Sequence, residues 1–154
     1  MKKETRKSVV GFLCIIVCLT ILGIWSWKTM NDYSNILKEN WNISLPKKAS
    51  FAEVYCDDSG SSFHGDGIRY HVFAYENEKP VETILPWSSK EKETRYYGSY
   101  EESIEYWLGE IAVPEEEKPD CEQCVYWYEK DELDEIIICW DKNKDKIYVI
   151  ESFV

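Results

Sequence analysis

The chain has 154 residues, a net charge of −11 and a sequence pI of about 4.7, and aromatic side chains make up 15% of it. That length suits about one globular domain. So acidic a body repels phosphate, which sets nucleic acid aside as a partner; it keeps a domain soluble without naming a ligand.

The charge is unevenly spread. Lys2, Lys3, Arg6 and Lys7 stand against Glu4 alone, whereas from Lys28 onward 14 basic residues face 28 acidic ones. A basic leader before an acidic body predicts two compartments. Between them, Val9 to Trp27 (VVGFLCIIVCLTILGIWSW) carries no charge. As a helix this run reaches roughly 28 Å, close to the hydrocarbon thickness of a bilayer. The reading is a cytoplasmic tail over 1–8 and an uncleaved transmembrane signal anchor over 9–27. The basic flank keeps the N-terminus in the cytoplasm, so the chain sits in the cell membrane with its C-terminal domain outside. Trp25 and Trp27 suit the outer interface. A small-residue cleavage pattern is missing around Gly23 to Trp27. Cys14 and Cys18 follow Leu13 and Val17 instead of the small residue of a lipoprotein site, and read as apolar filler.

Residues 28–45 form a juxtamembrane linker in which Tyr33, Ile36, Leu37 and Trp41 follow helical spacing. A globular domain is expected over 46–154. Ser50 to Asp57 reads as a strand, with Ala52, Val54 and Cys56 on one face and Phe51, Glu53 and Tyr55 on the other. Ile68 to Tyr75 reads as a second strand: Ile68, Tyr70, Val72 and Ala74 share one face, and Arg69, His71, Phe73 and Tyr75 the other. The two predict a hairpin whose loop is longer than the usual 2–5 or so residues. Glu76 to Pro80 reads as a turn, and "VETILPWSS" as a short helix broken at Pro86. The clearest helix spans Tyr100 to Ile111. Ser99 and Glu102 have capping-box spacing, and Ile104, Trp107, Leu108 and Ile111 make one apolar stripe. Pro114 stops it. After an acidic connection, "PEEEKPDCEQC", strands are expected at Val125 to Lys130, Glu135 to Asp141 and Lys146 to Phe153. Their short separators imply antiparallel neighbours. The expected class is therefore α+β: a transmembrane helix, then strand, strand, helix and a three-stranded antiparallel meander.

Chemistry-bearing residues are few. In Phe63-His64-Gly65-Asp66-Gly67, His64 is a potential base or metal ligand, and Asp66 a group to orient it. The glycines allow close backbone approach. Asp-Gly is equally a strong hairpin-turn signal. The loop lacks the alternating oxygen ligands of a calcium loop and the lysine of a phosphate loop. His64 and Asp66 are thus candidate binding residues, and no catalytic or metal role is assigned.

This loop resembles one in small uncharacterised, membrane-anchored proteins of Gram-positive bacteria. The ending "IIICWDKNKDKIYVIE", Ile136 to Glu151, is similar to the close of those proteins. The likeness covers about a fifth of the chain. Their loop often begins His-Gly-Gly where Ser61 and Ser62 stand here, so no second histidine joins His64. The resemblance implies a location and a fold, and no activity.

Cys56, Cys121, Cys124 and Cys139 allow three disulfide pairings; free thiols and zinc remain open beside them. Cys121-Glu-Gln-Cys124 has the spacing of a redox pair or half a zinc site, which Cys56, Cys139, His64 or His71 would have to complete. The pair leads into a strand, which speaks against a thioredoxin-type role. Tyr96, Tyr97, Tyr100, Tyr106, Trp107, Tyr126, Trp127, Tyr128 and Trp140 serve either packing or binding of a protein or sugar-like ligand. The carboxylate runs read as solvated, and no serine or cysteine lies in a nucleophile motif. No residue pattern identifies a cofactor. The sequence favours a non-enzymatic binding, sensing or accessory module with a protein partner outside the membrane. The alternatives are a metal-dependent or hydrolytic enzyme using His64 and Asp66, and a structural spacer.

Overall fold

The computed structural model describes residues 17, 18, 20, 33–46, 51–60, 66–90 and 93–154. The expected tail, most of the expected anchor at 9–27, and His64 lie outside them. Among the described residues no helix is long and apolar enough to cross a membrane. The chain divides into two compact units, Met1–Leu45 and Pro46–Val154. In the first, helix α1 (Tyr33–Trp41) buries Tyr33, Leu37 and Trp41. These recur every four residues, so they share one face.

The second unit is α+β. It holds strands β1 (Phe51–Asp58) and β2 (Gly67–Tyr75), the short helix α2 (Glu78–Glu82) and helix α3 (Tyr100–Glu110). Strands β3 (Cys124–Asp131), β4 (Asp134–Asp141) and β5 (Lys146–Phe153) follow. They form one five-stranded antiparallel sheet in the order β1-β2-β5-β4-β3. The hairpin and the meander are joined by β2 pairing with β5, for example Tyr70 opposite Ile150.

α3 forms where its cap and stripe predict. The Ser99 side chain accepts the Glu102 amide while the Glu102 carboxylate accepts the Ser99 amide, a complete capping box. Tyr100, Ile104, Trp107 and Leu108 are buried, in one cluster with Tyr70, Val72, Ile137, Cys139, Tyr148 and Ile150 of the sheet. Each such side chain contributes about 1.5–3 kcal/mol through burial. The stop differs from the expected proline. Ala112 takes φ +54°, its amide donates to Gly109, and the Val113 amide donates to Leu108 at 3.0 Å. That is a Schellman ending with alanine where glycine is favoured; Pro114 follows it.

The expected short helix also shifts. α2 begins in the stretch read as a turn, because the Asn77 side chain caps it by accepting the Lys79 amide at 3.2 Å. β4 is apolar on both sides, and Ile136, Ile138 and Trp140 on its outer face are as buried as Ile137 and Cys139 on its inner one. A continuous apolar run is the mark of a strand covered on both faces. At one end of the outer face, Trp87 packs on Trp140 with ring centroids 5.2 Å apart.

One register detail departs from simple alternation. Glu53 pairs with Phe73, yet Tyr55 pairs with Val72 and Cys56 with His71. The extra residue is a β-bulge that reverses the alternation within β1. Ala52 therefore shares a face with Tyr55, and Cys56 shares one with Phe51 and Glu53. The expected grouping of Ala52, Val54 and Cys56 is corrected accordingly.

Candidate functional site

Asp66 is exposed and stands directly before β2. The neck of its loop is closely built. The Ser59 amide donates to the Ile68 carbonyl, the Ser59 hydroxyl accepts the Ile68 amide, and Gly60 donates to the Asp58 carboxylate at 2.7 Å. Gly67 has φ +143°, and a Cβ there would lie 2.1 Å from the Ser59 hydroxyl. This glycine is thus required by the backbone.

The described cysteines are unbridged. Cys124 and Cys139 lie on the helix-covered face of neighbouring strands, two residues out of register. Burial first, and then the Cys124 thiol beside it, pushes the Cys139 thiol well above its ordinary range. Cys121 is half-buried in the same cluster, and its carbonyl accepts the Tyr126 hydroxyl. Cys56 points from the opposite face of the sheet, so it does not complete a site with Cys124 and Cys139. Cys121 also lines an open groove of about 490 Å³ between α3 and the 115–122 connection, with Glu101, Glu105, Glu115, Asp120 and Glu122. Lys118 and Lys144 offset part of that charge.

What Cys56 meets instead is on β2. The bulge turns Glu53 and Cys56 to the side of His71, and one donor atom from each lies within 4.8 Å of the other two. The His71 Nδ1 and Glu53 Oε1 are 2.5 Å apart. His71 is half-buried, while Glu53 and Cys56 are exposed. Burial holds the imidazole below its ordinary range, opposed by the Glu53 carboxylate. Burial also raises the Cys56 thiol, helped by Glu53, Asp57 and Asp58. A nitrogen, a sulfur and an oxygen donor converge here on an edge strand. For a metal site, sequence reasoning considered Cys56 and His71 only as completing Cys121 and Cys124, and missed Glu53.

A second feature lies at the start of α3. The turn Thr94–Gly98 is closed by the Thr94 amide donating to the Gly98 carbonyl at 2.6 Å. It is held to α3 by the hydroxyl contact of Thr94 with Ser103, and to β4 by the Arg95 amide donating to Glu135 Oε1 at 2.8 Å. The turn displays Tyr96 beside Tyr97, and Tyr97 stacks on Tyr106 of α3 with centroids 4.2 Å apart. Tyr97 also meets the buried Trp107 edge-on. Tyr96 and Tyr106 are 50% and 46% exposed. The result is a fixed aromatic ledge, with the Arg95 guanidinium 5.4 Å from the centre of the Tyr96 ring. Trp107, Tyr100 and Tyr126 serve the core, as does Trp140 on the other face.

No family model, curated protein or solved structure matches the chain.

Proposed function

We propose that the chain is a single-pass membrane protein, anchored through 9–27, whose acidic domain is a non-enzymatic binding or accessory module outside the membrane. Its partner is a protein, met through the ledge of Tyr96, Tyr97 and Tyr106. The ledge is the observation that carries this reading: Tyr96 and Tyr106 are exposed, and half-buried Tyr97 between them is held by stacking and by the anchored turn. Rings fixed before binding lose little entropy on contact, which is why tyrosine dominates many binding surfaces.

The test combines topology and contact. A reporter fused after Val154 should read as extracytoplasmic. A photoreactive side chain at position 96 or 106 should give one discrete protein adduct in the producing cells, while the same probe at Leu133, equally exposed at 43%, should not. A cytoplasmic reporter overturns the location. Equal adducts at all three positions, or none, overturn the ledge as a binding surface.

A further inference from the structure

The geometry points to a metal site on the outer face of the β1–β2 hairpin: Glu53, Cys56 and His71 bind one borderline divalent transition metal ion, zinc being the best match. The inference is independent of the tyrosine ledge.

Three observations combine. The donor atoms are already within 4.8 Å of one another, so an ion between them requires side-chain adjustment and no movement of strands. Zinc holds nitrogen and oxygen donors at about 2.0–2.2 Å and sulfur at about 2.3 Å, which spaces tetrahedral ligands by roughly 3–4 Å. The His71–Glu53 contact must open somewhat from 2.5 Å, and Glu53 is free to do so on an exposed edge strand.

The second observation is the bulge. Glu53 and Cys56 are three residues apart, and in a regular strand they would point to opposite faces. The irregularity between Glu53 and Tyr55 is what places both beside His71. Bulges recur where a side chain is re-aimed at a functional site.

The third is the donor set. Calcium and magnesium take oxygen ligands. One thiolate, one imidazole and one carboxylate select a softer ion. The surroundings favour a cation, since Asp57 and Asp58 follow Cys56 and the whole chain carries −11. With three protein ligands and two of them exposed, a fourth position stays open to water or to a donor from outside.

Loading involves no redox step. The ion displaces the thiol proton of Cys56 to solvent, while neutral His71 offers one ring nitrogen and keeps its own proton on the other. The test uses the full chain, purified reduced and metal-free in detergent, and titrated with cobalt(II). One equivalent should give visible bands of tetrahedral intensity with a thiolate-to-cobalt charge-transfer band, and zinc should bleach both. Cys56→Ser should abolish the charge-transfer band. His71→Gln and Glu53→Gln should each weaken binding at least tenfold. Cys121→Ser should change nothing. Without metal each variant should still unfold in one cooperative transition, which separates lost binding from lost folding. In the wild type, zinc should also slow alkylation of Cys56 and leave Cys121 unaffected. The proposal fails if cobalt gives no charge-transfer band, if the band survives Cys56→Ser, or if zinc leaves Cys56 alkylation unchanged.

Discussion

Glu135→Gln should stabilise this protein at neutral pH, and the gain should disappear in acid. Glu135 is 1% exposed at the start of β4. Its Oε1 accepts the Arg95 amide, but Oε2 has no hydrogen bond of normal geometry. Burial raises the carboxyl above its ordinary range; the Arg95 amide and the nearby Tyr128 hydroxyl moderate that without reversing it. A buried polar atom without a partner costs about 1–3 kcal/mol, more when charged. The glutamine keeps an acceptor for Arg95 and carries no charge, so a gain of about 1 kcal/mol at pH 7 is expected. That corresponds to roughly 4 °C or more in Tm for a domain of this size. The sign follows from linkage. A carboxyl whose folded pKa lies above its unfolded value costs nothing below the unfolded value, and its full penalty appears once pH exceeds the folded one. Wild type should therefore lose stability relative to the variant as pH rises from about 4 through the raised folded value. Thermal melts of both proteins between pH 4 and pH 8 measure this. A variant less stable than wild type at pH 7, or a difference that does not vary with pH, refutes the reasoning. Because Arg95 begins the tyrosine turn, Glu135→Ala should also loosen Tyr96 and Tyr97, seen as faster amide exchange there.

Ala112→Gly should raise stability by about 0.5–1 kcal/mol, since a left-handed alanine costs about 1–2 kcal/mol and glycine gives back part of that as chain entropy; denaturant melts with unchanged slope would show it. Trp107→Ala should cost about 3–5 kcal/mol, because it empties the centre of the core cluster, and a smaller loss would mean that α3 and the sheet collapse together. Ser99→Ala should cost about 1 kcal/mol through the cap alone, and Glu102→Ala in the same background should add little. With metal absent, alkylation followed by peptide mass analysis should find Cys56 modified before the other cysteines of residues 46–154, because it alone of them is exposed, and Cys139 only on unfolding, because it is buried and its thiol is raised. Early labelling of Cys139 would contradict its position on the covered face.

Local pattern carried much of the fold. Alternation in β2 identified both of its faces, and the strand at Lys146–Phe153 was legible to the residue. The capping box and stripe located α3, because an orphan amide and an apolar face are demands that a few neighbouring residues answer by themselves. α2 was misplaced by several residues, since a five-residue helix has too little periodicity to outweigh its turn-like composition.

The sites are another matter. Nothing in "FAEVYC" announces a bulge, because an inserted residue keeps every side chain and only changes which face it occupies. The convergence of Glu53 and Cys56 with His71 is set by the pairing of two strands, and so depends on tertiary register. Glu135 shows the same limit: among neighbouring acidic residues it looks solvated, and only the arrival of the Thr94–Gly98 turn over β4 buries it. By itself the sequence determined which segments become strands and helix, and which side chains seek burial. Tertiary structure decided which distant side chains meet, because register between strands depends on packing across the whole sheet and is invisible to a window of a few residues.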